Sequence, residues 1–523
     1  MEGTLAGPMH GTRDLRMLRF RVHDRNLSQD LALGALGHGL AGEDRAVRGA
    51  SVREGSQLQF QPERASEAAY ACLAPVGAMG RMLVQTCILP TRPEAYDFYL
   101  EVARHRIKQY IEKTEDWQMW DPARAGDALE QWERARRLFR TATVASDPEQ
   151  AERAARDAVA QGMDAGEFLA LKHAEIFLRR RYRAHAASSA LLGVVVDPMT
   201  APPEGLVAAA ARMFDVLAIR VPWRAMDKGK GRKGEAAYDF AALDRWVAFA
   251  SKEKKQVVLG PVVDLRREAL PDAVSALSKD LDRLREVCWD HACVLASRYQ
   301  KVNVFWNAVC GAGSNVMCEM SASQMSEFVR KIAFALRTHQ RNARTMIEID
   351  HPFHERTSNR LGAVAPTGLL ERLVSDGVPL SAVGLRLDFV PDRLALRDLL
   401  MISSDLDRYI GRQLPVFISG FGTPSHGDVS QCGSWRGDAS ASTQASWATR
   451  FARIAMSKPF VEGLWWSRLV DTNTATDGVL DVTGKPKPVL GKLLAWRQSL
   501  REPMGADDQS KGVREDPSEE PAK

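Results

Sequence analysis

The sequence predicts an α/β protein: a (β/α)8 TIM barrel over residues 188–500, preceded by a small β-sandwich-like domain at residues 1–93 and a helical segment at 94–187. Three observations predict it. From Ser188 onward, short apolar runs alternate with longer amphipathic ones, and eight of the short runs read as strands. Those runs are continuously β-branched rather than alternating, the pattern of parallel strands covered on both faces. No Gly-x-Gly-x-x-Gly follows any of them, so the open dinucleotide-binding sheet lacks its signature and a closed barrel fits better.

The N-terminal domain is read from period-two patterns. Arg16–Val22 sets Leu18, Phe20 and Val22 against Arg19 and Arg21, and Gln57–Gln61, Tyr70–Val76 and Arg81–Leu89 repeat the alternation between Gly- and Pro-marked turns. Such a domain suits a carbohydrate-binding-like module or a cap packed on the barrel; the lack of an aromatic row favours the cap. The period then turns helical. Tyr96, Leu100, Ala103, Ile107 and Ile111 share one face, Leu129, Trp132, Ala135 and Phe139 mark a second helix, and Asp147-Pro148 opens a third. The basic run Arg179–Arg183 fits a solvated helix end better than a nucleic-acid patch.

The barrel strands are expected at Leu191–Val196, Val216–Val221, Gln256–Val263, Val302–Val309, Thr345–Asp350, Ala382–Phe389, Pro415–Ser419 and Gly463–Leu469. Residues 501–523 are rich in Asp, Glu, Lys, Pro and Ser without apolar periodicity, and are expected to be disordered.

A formal net charge of +5 spread over 523 residues gives no argument for a nucleic-acid or membrane partner. Met1–Leu15 lacks the apolar core of a signal peptide, and no stretch reaches the roughly 18–20 apolar residues of a membrane span, so a cytoplasmic protein is expected. The seven cysteines form no paired C-x2-C spacing, which points to reduced structural thiols and away from zinc. No metal site or cofactor is expected, and the oligomeric state is left open.

Within the barrel, Ala237–Phe240 with Leu243-Asp244 and Val247–Ala250, Val257–Pro261 with Leu270-Pro271, Asn303–Gly311, Ala382–Asp388, Pro415–Gly422, and Lys458–Gly463 followed by Asp471, Gly478–Leu480 and Lys485–Pro488 arrive in a familiar order. In that order the chain resembles glycoside hydrolase family 10, the xylanase-type family. The resemblance implies a barrel directed at a poly- or oligosaccharide, xylan-type β-1,4-glycan first, and, if active, endo-1,4-beta-xylanase-like hydrolysis. Family members retain configuration with two glutamates on the C-terminal edge of the barrel, about 5–5.5 Å apart. Carried over residue by residue, Trp306 matches the tryptophan of the fourth-strand motif, Asn307 its aspartate and Cys310 its asparagine, and the acid/base position falls on Gly311. In the seventh strand Ile418-Ser419 match, and the nucleophile position falls on Gly420. Neither glycine can move a proton or attack carbon.

Other positions depart too. Pro261 replaces a histidine, Arg386 and Asp388 stand for a glutamine and a histidine, and Arg220 lies at the second-strand Glu-Asn site, with Arg224 keeping the charge of a lysine. Remaining carboxylates that could act are Asp350, Asp388 and Glu348, with Asp264 and Glu355; alternation puts Glu348 and Asp350 on one side of their strand. They could equally pair with Arg220, Arg386 or Arg468 in a filled mouth. Sugar contacts are expected from Trp306, Asn307, Arg220, Asp264, Arg386, Trp466 and Asp471, with Trp465 a further ring, and Lys228–Lys233 is expected to be a solvated loop that could meet uronates. Three readings follow: a glycan-binding pseudoenzyme, a glycosidase with relocated carboxylates, and a structural or interaction protein.

Overall fold

The computed structural model describes residues 17–23, 37–42, 46–183, 191–229, 234–353, 363–391 and 393–501. Arg16, residues 230–233 of the basic loop, Glu355 and residues 502–523 of the expected tail lie outside the described residues.

Eight parallel strands form the barrel: Leu191–Val196, Val216–Ile219, Gln256–Leu259, Val304–Cys310, Arg344–Ile349, Ala382–Asp388, Val416–Gly422 and Val461–Trp466. The first pairs with the second and the eighth, the third pairs with the fourth through Val257 and Val304, and the ring closes. The third strand stops early because Pro261, behind a cis Gly260–Pro261 bond, has no N–H for the ladder. The chain resumes as Val263–Asp264 against Val309 and Cys310.

Alternation decides which side chains fill the ring. Val195, Val216, Ala218, Val258, Phe305, Met346, Ala382 and Trp465 form one buried cluster inside it, while their neighbours Val194, Trp306 and Trp466 belong to the larger core facing the helices. The helices Gly205–Arg212, Ala241–Lys252, Leu281–Arg298, Ala322–His339, Pro366–Ser375, Leu399–Asp407, Ala441–Ser457 and Pro488–Arg501 cover the outside. Several start on the caps their sequence provides: Ser321 and Gln324 close a capping box, and Asp280 and Asp398 accept from Arg283 N and Met401 N. Among the described residues, no helix is long and apolar enough to cross a membrane.

The N-terminal part is a sandwich. One sheet runs Gly49–Glu54, Gln57–Pro62, Leu18–Arg21 and Tyr96–Asp97, and the other includes Ala46–Val47, His38–Leu40, Glu67–Pro75 and Gly80–Gln85. Phe20 of the first stacks on Tyr70 of the second at 5.7 Å. Tyr96, expected on a helix, instead pairs with Phe20 in the sheet, and the helix begins at Phe98. Helices Phe98–Asp116, Ala128–Val144 and Pro148–Arg183 follow, and the last lies against barrel helices Leu399–Asp407 and Ala441–Ser457.

The sandwich sits on the barrel. Leu40, Ala69, Ala71, Leu73 and Leu83 pack on Ala395 and Met401, and Leu83 N donates to Leu396 O at 2.7 Å. Ser434–Trp435, from the loop after the seventh barrel strand, adds to the second sheet beside Gly80–Gln85. These loops belong to the end of the barrel where function gathers.

Candidate functional site

Towards the C-terminal ends of the strands the inward-facing residues change from apolar to charged. On the fifth strand Met346 gives way to Glu348 and then Asp350; on the sixth, Ala382 and Gly384 give way to Arg386 and Asp388. Phe305 is followed two residues on by Asn307, and Ala218 by Arg220. The same period-two rule that packs the floor therefore collects Asn307, Glu348, Arg386 and Asp388 at the mouth.

These residues pair with one another. Arg386 Nε donates to Asp388 Oδ2 at 2.5 Å, and its Nη1 lies 3.5 Å from Glu348 Oε1. Asn307 Nδ2 donates to Glu348 Oε2 at 3.2 Å. Arg266 forks over Asp264 at the end of the third strand, its Nε 2.8 Å from Oδ1. Ser314 Oγ donates to Asp350, 3.1 Å from each carboxylate oxygen, and His351 Nε2 is 3.5 Å from the same group. Arg393 Nε stands 4.0 Å from Asp388 Oδ2.

The electrostatics follow from burial and guanidinium density. Burial alone would raise Asp388, but Arg386, Arg393 and Arg220 outweigh it and hold the carboxyl below its ordinary range. Asp264 is held down likewise, with burial opposed by the Arg266 hydrogen bonds and charge. Burial followed by the Arg386 charge lowers Arg220 to about 10; burial, Arg386 and Arg266 lower Arg393 to about 9. Burial pushes the Cys310 thiol up, and Asp264, Glu348 and Asp350 add to it.

The two glycines carried over from the resemblance lie in this network. A Cβ on Gly420 would stand 2.8 Å from Asp388 Oδ1 and 3.4 Å from Arg386 Cγ, so the first atom of any side chain there meets the ion pair. Gly311 has φ +78°, a region that favours glycine, and its Cβ position is covered by Leu265 Cβ at 3.6 Å and Arg266 Cγ at 3.7 Å.

Not every expected residue reaches the mouth. Trp306 is fully buried on the outer face of its strand, its Nε1 donating to Gln340 Oε1 at 2.8 Å. Trp466 also faces the helices, donating to Asp477 O at 2.6 Å. Trp465 points into the ring, stacked on Phe417 at 5.3 Å. None of the three offers an open face, which corrects the expectation that Trp306 or Trp466 stacks on a sugar. Asp471 is closed into the loop after the eighth strand by Lys487 Nζ at 3.0 Å and Gly478 N at 2.6 Å. Arg224 is a surface residue paired with Asp272 at 2.7 Å, and Arg468 pairs with Asp477. Sequence reasoning missed Arg266, Arg393, Ser314 and His351. The Asp264-x-Arg266 spacing mirrors Arg386-x-Asp388 and could have flagged the first; the loop residues carry no periodic signal. Among the described residues, no group of three or more His, Cys, Asp or Glu is placed to hold a metal ion.

No family model and no curated protein matches the chain. Solved structures do. Native xylanase 10B from Thermotoga maritima is 16% identical with a TM-score of 0.46, over 61% of this chain and 98% of that one. A family 10 endoxylanase from a sugarcane soil metagenome is 15% identical with a TM-score of 0.46, over 60% and 99%. An intracellular xylanase from Thermoanaerobacterium saccharolyticum, solved with xylotriose, is 12% identical with a TM-score of 0.44, over 60% and 97%. The barrel is similar to those of family 10 xylanases. The fold class itself rests on the closed eight-stranded ring.

Proposed function

We propose that this chain is a family-10-like barrel that binds a poly- or oligosaccharide at its C-terminal mouth without hydrolysing it, a xylan-type β-1,4-glycan being the first candidate. The observation that carries the loss of hydrolysis is the pair Gly311 and Gly420, with Arg266 beside one Cβ position and Asp388 and Arg386 against the other. The sugar class rests on the sequence resemblance.

Relocated catalysis is disfavoured by the state of the remaining acids. A retaining hydrolase needs one carboxyl that stays protonated to donate to the leaving oxygen. Asp388 and Asp264 are held ionised, the opposite of that requirement. Glu348 and Asp350 lie two residues apart at one strand end, on the same side rather than flanking a bond, and Glu348 is engaged by Asn307 and Arg386. A second reading, a structural or interaction protein, is favoured by the ion pairs that fill the mouth and by the sandwich docked on its rim.

Purified full-length chain is expected to release no sugar from xylan or aryl xylosides. Steady turnover that Asp350→Asn abolishes would overturn the non-hydrolytic reading. Calorimetric titration with a broad oligosaccharide panel should give heat for a subset; a flat response throughout would leave the structural role as the better account. Calorimetry is preferred to tryptophan fluorescence because Trp306, Trp465 and Trp466 are buried.

A further inference from the structure

Four guanidiniums, those of Arg220, Arg266, Arg386 and Arg393, sense one another at the mouth, yet they are not equally engaged. Arg266 is spent on Asp264 and Arg386 on Asp388. Among the described residues, the side chain of Arg220 makes no hydrogen bond and no ion pair within 4.0 Å, although its backbone N–H is held by Val196 O. Among the described residues Arg393 pairs only with Asp388 Oδ2, at 4.0 Å, an oxygen that Arg386 already occupies. Both side chains retain some solvent exposure, 23% for Arg393, while Asp388 beneath is almost wholly covered.

Beneath these donors lies a second set of unanswered groups. Asn307 Oδ1, Asp388 Oδ1 and Ser419 Oγ are buried without a hydrogen-bond partner among the described residues, while Glu348 Oε1 and Arg386 Nη1 face each other at 3.5 Å. An unanswered buried polar atom costs about 1–3 kcal/mol, so these three call for an occupant rich in hydroxyls. Guanidiniums whose N–H groups are not taken up by a close carboxylate suit a planar anion held by two parallel N–H donors.

We propose that the ligand is an acidic sugar, with the carboxylate of a uronic residue seated on Arg220 and Arg393 and its hydroxyls on Asn307, Asp388 and Ser419. This rests on the glycan-binding reading above and narrows it to a charged substrate class. A seated carboxylate also relieves the crowding of like charges that pulls both arginines below their ordinary range.

The test is calorimetric titration of the full chain with xylotriose, a xylotriose bearing glucuronate, the methyl ester of that same oligosaccharide, and free glucuronate and inorganic phosphate as simple anions. The acid oligosaccharide is expected to bind at least tenfold tighter than its neutral ester, with an affinity that falls as salt rises. Arg220→Met and Arg393→Met should each bring it down to the level of the ester. Arg220→Lys should restore only part, since an ammonium keeps charge but not the fork. Should a methionine variant fail to fold by circular dichroism, the acid-to-ester ratio in the unsubstituted chain still decides. Equal binding of acid and ester overturns the uronate assignment and leaves glycan binding standing. Absence of binding by every oligosaccharide overturns both. Phosphate binding as well as glucuronate, with neither oligosaccharide bound, overturns the sugar assignment in favour of a bare anion site.

Discussion

Buried arginine–carboxylate pairs hold this molecule together in two places, and the two are wired differently. At the seam between the N-terminal segments and the barrel the partners come from far apart in the chain. Arg106 meets Asp398 at 2.6 Å with both side chains almost wholly buried, and Glu167 on the long helix accepts from Leu399 N, Trp435 Nε1 and Arg436 Nη2. At the mouth the closest pairs are two residues apart on a single strand end, Asp264 with Arg266 and Arg386 with Asp388. A long-range pair can form only when both segments are docked, so it specifies tertiary arrangement. A local pair forms as soon as its strand end is placed and leaves neighbouring groups available. The seam is a fastening and the mouth a charged surface.

The contrast makes graded predictions. Arg106→Met strands Asp398 without its cation in the interior and should cost about 3–5 kcal/mol, read by urea unfolding of the full chain; a loss below about 1 kcal/mol would mean the seam is not the fastening claimed. Gly420→Ala pushes a methyl group against Asp388 and should cost about 1–3 kcal/mol, and Gly311→Ala about 1–2 kcal/mol because of its positive φ. The Gly311→Glu, Gly420→Glu double variant should still release no xylose from xylan, since Asp388 and Arg386 stand against one of the two positions.

Acidity separates the regions next. His173, stacked on Trp117 at 4.2 Å beside the seam, is held neutral by burial, then by Lys458 and Arg180, with its pKa lowered to about 3. The unfolded chain takes up that proton near pH 6.5 and the folded chain only near 3. Stability is therefore complete above about pH 6.5 and is lost as pH falls toward 3, with a slope near 1.4 kcal/mol per pH unit. Buried His291, also lowered to about 3, adds a second proton of the same sign. His173→Phe should flatten the acid limb of the Tm-against-pH curve; an unchanged limb would remove this histidine from the account. Smallest of all, Trp306→Phe gives up one hydrogen bond to Gln340, about 1 kcal/mol, and should leave sugar binding unchanged. Lost binding in that variant would bring the ring back into the site.

Much of the barrel was readable from sequence because a buried parallel strand needs a continuous β-branched run. Leu191–Val196 was placed to the residue, and most of the others to within a few positions. The third run is apolar without a break to Val263 in the sequence, while Pro261 divides the strand. His38–Leu40 and Ala46–Val47 escaped because they are short, and Gly49–Glu54 because Val52 is its one large apolar residue. Ser434–Trp435 escaped because its partner is hundreds of positions away. At the site, alternation in the sequence sets Glu348 and Asp350 on one side of their strand, while Asn307 and Arg386, expected from the resemblance, meet Glu348 in the structure; the tryptophans turn on register. Phe305 and Trp306 straddle the sheet, and a shift of one residue exchanges inside for outside.

The short strand Ser434–Trp435 also bears on the order in which this protein is made. It pairs with Gly80 and Arg81 on the free side of Gly80–Gln85, where Leu83 N is met by Leu396 O, so that flank of the second sheet stays an open template until residues 396 and 434 have left the ribosome. Almost the whole barrel must be synthesised before the earliest-made sheet gains its border. A chain stopped short of that point exposes unpaired backbone and invites edge-to-edge aggregation, so the N-terminal sandwich is a poor candidate for expression by itself.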